Sequence, residues 1–509
     1  MLRRRIITTV VALSLLIGII YSLIWFANTG SVDVKVENGS NSNSIYTYSF
    51  SGNSSSSEIE SEATQTKKRL KKGAYFVAVQ SGESSSIKLV KVGGWLKTSS
   101  VELSIEPEKS REFVGDEPGF CMNYSQDLLY SFDCSEPGGL KAHQPANADT
   151  PTSVVSEAEP PYLNLRDIIT VQGKPRAFVV DPDGHSGSSG VELYNIDQSL
   201  SFDSRLDLQG IDRKTSPHAV AYKDGYIVYS KDFSNIKFFS PLDEDGSEIG
   251  QIKSSLAYSN PVEFSIFGDE FGGLFNSSEE GADLGLSGDS KEKRQEVLKG
   301  ESEFVFLKSK QAVKLNKVYT SGVICGENRI CLINNHILDI YEVSGNKAKL
   351  VVSFPGAEKV VASNGKINIV TDKGLVVLDQ TSLNGSLYYS FAEGGGYCGF
   401  TIAGDKYVVC TISEKAGTSA LLIDPSKTND DSIDKKIAKL LSDESIKDIS
   451  VYKKDVFISP SLNEFVYDPA LNIQRYNPEK LKESTDKINS LISSSGIDRS
   501  KYSISNVLE

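Results

Sequence analysis

The stretch Asn364-Gly-Lys-Ile-Asn-Ile-Val-Thr-Asp-Lys-Gly-Leu-Val-Val-Leu-Asp379 reads as a turn, a strand, a second polar turn and a second strand. Its Asn-Gly start is a hairpin signal, and the β-branched runs on either side of Asp372 and Lys373 have strand character. Near copies run from Asp224 to Phe239 (DGYIVYSKDFSNIKFF) and from Asp455 to Asp468 (DVFISPSLNEFVYD). Weaker copies begin near Gln126, Gly173, Gly268, Gly326 and Gly404, giving eight signals at intervals of 38 to 58 residues. Self-similarity at such a period is the signature of a β-propeller or a related array, each unit burying its faces on its neighbours.

Each copy reads as the inner hairpin of a four-stranded blade. The gaps have room for two more strands, such as Lys349–Phe354 and Leu387–Phe391. Residues 116–476 then divide into eight blades of about 45 residues, or seven of about 51 if one terminal signal is a ring-closing strand. The Trp-Asp and Gly-His marks of WD40 repeats are missing, and the copies carry no recurring acid, histidine or arginine.

The formal net charge is −13, and Arg3, Arg4 and Arg5 are the only charges before residue 28, so the remainder is more acidic still. Such a surface repels phosphate backbones, so nucleic acid is not an expected partner, and it argues against a general basic footprint for anionic lipid. Solubility is the simpler reading of the charge.

Ile6 to Ala27 is uncharged over 22 residues (IITTVVALSLLIGIIYSLIWFA). At the helical rise that is about 33 Å, enough to cross a hydrocarbon core of roughly 30 Å. Tyr21, Trp25 and Phe26 fall where an interfacial aromatic belt is expected. The arginines keep the N-terminus, residues 1–5, cytoplasmic. The expected arrangement is a single-pass signal anchor at 6–27 with the bulk of the chain extracytoplasmic at the cell membrane. A cleaved signal peptide is the alternative, although its apolar region would be shorter.

The six cysteines form three local pairs, Cys121/Cys134, Cys325/Cys331 and Cys398/Cys410, each bracketing an expected hairpin. Directly opposed residues on facing strands come within reach of a disulfide. An oxidising compartment beyond the membrane would allow all three bonds. Zinc spacing is absent, and the four histidines, His143, His185, His218 and His336, lack ligand spacing.

Residues 28–115 read as a small β domain. Val32, Val34 and Val36 alternate with Asp33 and Lys35, and strands are expected over Lys72–Gln80, Ser86–Val92 and Ser100–Ile105. The order Leu70-Lys-Lys-Gly-Ala-Tyr-Phe-Val-Ala-Val79 resembles the PEGA-like surface and envelope domains of bacteria. That resemblance implies a small sandwich, often a stalk beside an anchor. At the other end, residues 477–509 open on Asn477-Pro478, an N-cap and first helical position, with Leu481, Ile488, Leu491 and Ile492 as an apolar stripe. A short strand near Tyr502 follows that helix.

Three insertions interrupt the repeat: 135–161, rich in Pro, Ala, Glu and Ser and expected to be unstructured; 277–300; and 432–445, helical in pattern. The loop Asp181-Pro-Asp-Gly-His-Ser-Gly187 fails as a nucleophile elbow, because residue 188 is Ser, and as a calcium loop offers only Asp181 and Asp183. Asp243 and Asp245 form a similar acidic turn, and plain Asp-Gly turns explain both. Five Asn-x-Ser/Thr sequons occur, at Asn38, Asn53, Asn123, Asn276 and Asn384.

The sequence therefore predicts a mainly β chain: a transmembrane helix, a small β-sandwich, a seven- or eight-bladed β-propeller and a short C-terminal helix. No catalytic, metal or cofactor residues are assigned and no cofactor is expected. Binding or scaffolding at the cell envelope, with a protein or glycan ligand, is favoured. A propeller enzyme of quinoprotein, lactonase or glycosidase type, with its site in the central channel, is the rival. An envelope protein assembly factor is the third reading.

Overall fold

The structure, a computed structural model, describes residues 22–37, 45–53, 55–82, 84–116, 121–126, 128–132, 140–143, 164–180, 191–196, 200–206, 211, 214, 216–241, 246–256, 259–277, 300–391, 395–413 and 417–428, with strands at 448–452, 455–459, 465–468, 473–476 and 503–506 and the lone residue Ser490. These form two compact units, Met1–Glu108 with Ile252–Ser390, and Lys109–Gln251 with Phe391–Glu509. Nearly all described regular structure is β.

In the first unit, strands β1 (Thr29–Glu37), β2 (Tyr46–Gly52), β3 (Ser55–Ser61), β4 (Gln65–Lys71), β5 (Gly73–Ser81), β6 (Ser84–Val92) and β7 (Thr98–Ser104) form a small sandwich. One sheet has the order β4-β1-β7, with β1 parallel to β7, and the other runs β3-β2-β5-β6. Period-two alternation decides which side chains meet. Val32, Val34 and Val36, with Leu103 of the same sheet, pack on Tyr48, Phe50, Val77 and Val79, all buried, while Lys35 and Glu37 remain exposed. Alternate residues of β5 and β6 bury the opposite face. Phe76 and Ile87 join a core with Ile333, Leu338, Ile340, Ile367 and Leu387, and Phe76 meets Phe354 edge-on at 5.4 Å. The small domain is therefore built into this unit rather than standing apart as a stalk.

Seven antiparallel meanders follow in chain order. Sheet one comprises Cys121–Ser125, Leu128–Phe132 and Lys141–His143; sheet two Asn164–Val171, Lys174–Val180, Val191–Ile196 and Leu200–Arg205; and sheet three His218–Tyr222, Gly225–Tyr229, Ile236–Phe239 and Ser247–Gly250. Sheet four comprises Ser259–Phe267, Glu270–Ser277, Ser302–Phe306 and Ala312–Leu315; sheet five Ser321–Gly326, Arg329–Asn334, Ile337–Ser344 and Lys347–Pro355; and sheet six Ala357–Ser363, Lys366–Thr371, Gly374–Asp379 and Gly385–Ser390. Sheet seven comprises Gly396–Ala403, Lys406–Ser413 and Gly417–Thr428, completed as its fourth strand by β8 (Lys109–Asp116). Residues 109–115, read from sequence as the end of the small domain, thus pair with the chain's far end.

First strands lie side by side in sheets four, five and six of one unit, and in sheets seven, one, two and three of the other. Middle strands are covered on both faces and so read as nearly continuous apolar runs. Ile367, Ile369, Val370, Leu375, Val376, Val377 and Leu378 are all buried. The Asn364-Gly365 turn has φ of +50° and +70° and links Ser363 to Lys366, as a two-residue hairpin requires.

Every repeat signal in sheets one to seven marks the second strand, entered from the turn after the first. The copies that extend to a second run, from Gly173, Asp224 and Asn364, continue into the third. The expected inner hairpin is therefore the central strand pair. The eighth signal, at Asp455, behaves differently. Asp455–Ser459 pairs with Asp448–Tyr452 and, in parallel, with Ser503–Asn506, while Phe465–Asp468 pairs with Ile473–Tyr476. Among the described residues it heads no four-stranded meander, and the strand expected near Tyr502 is its partner.

Among the described residues no helix is long and apolar enough to cross a membrane. The expected anchor lies outside them except for its last turn, the helix at residues 22–27. The expected helices at 432–445 and 477–495 also lie outside the described residues, Ser490 excepted.

Candidate functional site

Sheet four begins with a strand whose register shifts between Pro261 and Glu263. Such a bulge re-aims the side chains beside it. Here it turns Glu263 toward sheet five, where Oε2 accepts hydrogen bonds from Ser321 Oγ (2.6 Å) and the Gly322 backbone N–H (2.6 Å). Sheet six has the same irregularity between Ala357 and Lys359. The Lys359 ammonium acts electrostatically on Glu263. Burial pushes the Glu263 carboxyl above its usual range, with the two donors and Lys359 pulling the other way. Burial likewise pushes the Lys359 ammonium down, opposed by Glu263. Three successive sheets thus contribute a carboxyl, a hydroxyl and an amine to one half-buried cluster, with the acid and the amine shifted toward each other. An acid shifted up beside an amine shifted down is an arrangement found at functional sites and in structural ties alike.

Among the described residues of the second unit the acid tie recurs without the amine. Sheet two's first strand shifts register between Leu165 and Asp167, and Asp167 Oδ2 accepts from the Ala219 backbone N–H (2.9 Å) on sheet three. His218 Nδ1 lies 3.3 Å from the same oxygen, and the imidazole stacks on Tyr229 at 5.9 Å. In both units, a carboxylate beside a first-strand bulge holds the start of the next sheet's first strand.

A second knot joins sheets four and five. Tyr319 OH donates to Asp339 Oδ2 (3.0 Å) and meets Tyr341 OH at 2.6 Å, while Ser353 and Lys317 also donate to Asp339, at 2.6 and 2.9 Å. The backbone of Tyr319 is held by Asn276 and Ser302. Burial drives the Tyr319 hydroxyl far above its ordinary range, helped by Tyr341 and Asp339. On the rim between these sheets lies a recess of about 330 Å³ lined by Phe267, Glu270, Phe306, Ile324, Glu327 and Val343.

No family model matches the chain and no curated protein does. Solved structures with similar folds include YCF48 from Cyanidioschyzon merolae, at 8% identity and TM-score 0.37, covering 62% of this chain and 100% of that one. The extracellular domain of the putative one component system BT4673 from B. thetaiotaomicron aligns at 8% identity and TM-score 0.36, over 68% of this chain and 51% of that one. The Dos1 propeller aligns at 8% identity and TM-score 0.35, over 59% and 76%. At these scores they carry no argument about what this chain does.

Two expected disulfides are present. Cys325–Cys331 and Cys398–Cys410 have Cα separations of 5.8 and 5.1 Å. The geometry differs from direct opposition: Cys325 and Cys398 are the extra residues of first-strand bulges, so each bond pins a bulge to the second strand. Cys121 is disulfide-bonded, and Cys134 lies outside the described residues.

His143, placed by sequence in an unstructured insertion, lies on the third strand of sheet one opposite Leu129. His336 pairs with Glu358 at 2.7 Å on an exposed rim. Three sequons serve the fold. Asn276 is buried and bonded to Tyr319 and Ser302, Asn123 donates to Ile168 O and accepts from Thr170, and Asn384 accepts from Leu89 N. The loops with Asp181, Asp183 and His185, and with Asp243 and Asp245, lie outside the described residues.

Sequence reasoning missed Asp167, Glu263 and Lys359. They stand five or six residues before the turn glycines Gly173, Gly268 and Gly365. A charged residue inside an otherwise strand-like run, five or six residues before the turn glycine, is the signal in the sequence.

Proposed function

We propose that the chain is a membrane-anchored, extracytoplasmic binding or scaffolding module of propeller type, in which the seven meanders are blades and the small sandwich is a PEGA-like domain next to the anchor. The observation that carries it is the repeated tie. Two first-strand acids, one in each unit, are committed to the backbone of the following sheet: Asp167 to Ala219 and Glu263 to Gly322. First strands face the axis of such folds, so carboxylates that would otherwise be free for chemistry are holding the scaffold. The paired cysteines fit an oxidising compartment, and a protein or glycan met on the insertion loops is the expected ligand.

One observation favours the enzymatic reading: the Glu263–Lys359 pair, with its acid shifted up and its amine shifted down. The two readings separate experimentally. The intact chain is assayed against lactone and glycoside panels beside Glu263→Gln, and is cross-linked in its native envelope with and without residues 278–299. Binding is supported when cross-links to one envelope protein or glycan depend on that insertion and no panel substrate turns over. Turnover that Glu263→Gln abolishes in a folded chain overturns it.

A further inference from the structure

Six exposed large apolar side chains of the first unit lie at one end of the small sandwich, with Ile45 and Ile337 exposed singly elsewhere. Leu23, Ile24, Trp25 and Phe26, in the helical turn that leads into β1, are 49%, 55%, 42% and 36% exposed. Trp95 and Leu96, in the turn between β6 and β7, are 64% and 40% exposed. Both turn residues adopt left-handed backbone conformations, with φ of +59° and +56°. Two bulky L-residues in succession rarely hold that conformation, and here no buried side chain is gained by it.

What holds the turn is the end of the helix. Trp95 N donates to Phe26 O (2.6 Å) and Leu96 N to Thr29 O (2.9 Å). The approach is so close that a Cβ on Gly94 would stand 1.8 Å from Ala27 O. The turn is thus fixed beside the helix end with its apolar side chains outward.

The charged residues of the two flanking segments are all basic. Arg69 and Lys71 pair across from Ser31 and Thr29, Lys72 N donates to Asn28 O, and Lys91 and Lys97 flank the turn. Residues 65–73 and 91–99 contain no acid, in a chain of net charge −13. The Arg69 guanidinium lies 5.1 Å over the Trp25 ring. The sequence leading into this patch, residues 6–21, is uncharged and apolar.

We propose that the Trp95–Leu96 turn is an interfacial anchor, inserted into the headgroup layer of the same bilayer that receives residues 6–27, so that the small sandwich is seated on the membrane in one orientation. Tryptophan and leucine supply the apolar wedge at interfacial depth. Arg69, Lys71, Lys72, Lys91 and Lys97 meet lipid phosphates around it. The inference rests on the membrane-anchor reading and adds a second point of attachment, which gives the domain a fixed tilt.

Trp25 and Trp95 are the only tryptophans in the chain. Trp25→Phe therefore leaves Trp95 as the sole reporter at this patch. The full chain carrying that substitution is reconstituted in phosphatidylcholine–phosphatidylglycerol vesicles, with and without lipid brominated near the carbonyl end of its acyl chains. The expected result is loss of most Trp95 emission in the brominated vesicles and protection from acrylamide in the plain ones. Trp95 that stays open to acrylamide and blind to brominated lipid overturns the proposal. So does shielding that is indifferent to bromine and disappears on dilution, which would mean that a second copy covers the patch. Alkaline extraction of the same vesicles reads the helical anchor separately. A chain that resists extraction while Trp95 stays unquenched loses the turn's role and keeps the anchor; a chain that is extracted loses the anchor. Lys71→Glu with Lys97→Glu is expected to weaken the quenching in anionic vesicles.

Discussion

Glu263 gives the sharpest test of how successive sheets are held. In Glu263→Ala the Gly322 N–H, fixed in the backbone, loses its acceptor, and the Ser321 hydroxyl and Lys359 lose their charged partner. A hydrogen bond to a charged group contributes about 1.5–3 kcal/mol, and a stranded buried donor costs about 1–3 kcal/mol. The serine can rotate toward water and the glycine cannot, so the expected loss is about 3 kcal/mol. Glu263→Gln keeps a carbonyl acceptor and should lose only about 1 kcal/mol. Urea unfolding of the intact chain, with the slope unchanged, reads both values. The pH dependence adds a sign. Burial raises the Glu263 carboxyl above its usual 4.5, so its contribution is fully present below about pH 4.5 and is lost as pH rises through the raised value. Gln does not titrate. The deficit of Glu263→Gln should therefore be largest in acid and shrink as pH rises. Glu263→Gln with Lys359→Met, which removes both charges, should be more stable than either single variant. An alanine variant within about 0.5 kcal/mol of the parent, or a glutamine deficit that grows with pH, would refute the reasoning.

Replacing both Cys325 and Cys331 with Ser should cost about 2.4 kcal/mol and replacing Cys398 and Cys410 about 2.9 kcal/mol, from closed loops spanning sequence separations of 6 and 12, read as a fall in Tm against the oxidised parent. Glu303 is buried and accepts from Ser254 Oγ (2.7 Å), Ser255 N (2.5 Å) and Ser255 Oγ (2.7 Å). Burial opposes its ionisation, but the three donors prevail and hold it below 4.5, so its stability is present above that pH and lost as pH falls through the lowered value. Glu303→Gln should flatten the acid limb of the urea midpoint. Tyr319→Phe should cost about 1–2 kcal/mol by thermal unfolding, because Asp339 and Tyr341 lose a shared partner. Gly374→Ala should cost about 3 kcal/mol or more, since φ is +150° and a Cβ would lie 1.9 Å from Tyr389 O.

Much of the strand order was legible in the sequence because a middle strand covered on both faces leaves an uninterrupted apolar run, as in residues 366–379. Turn chemistry fixed where the hairpins begin, Asn364-Gly365 being the clearest. Pairing beyond the hairpin was less legible. The Asp455 copy has the same local pattern, yet its strands bond to Ser503–Asn506 and Ile473–Tyr476. A pattern of turns and apolar residues specifies a strand and not its partner. The site was hidden for a related reason. Glu263 and Ser321 are 58 residues apart and meet only because a bulge turns one side chain toward the neighbouring sheet. The basic patch at Arg69–Lys72 was masked by the acidic total, since net charge averages over surfaces that never share a partner.

The joint between β6 and sheet six has a consequence for how the chain is made. Leu387 N bonds Ser85 Oγ, Leu89 N bonds Asn384 Oδ1 and Ser390 N bonds Glu108 Oε1, across separations of 302, 295 and 282 residues. β8 waits as long for its partner in Gly417–Thr428. At about 5–20 residues per second, roughly 15–60 s of synthesis separate the two halves of each joint. During that interval two strands offer bare edges to any other chain nearby. The early part of this protein therefore needs shelter until its late part arrives, and a chain stopped before residue 385 would carry both edges as permanent sites of misassembly.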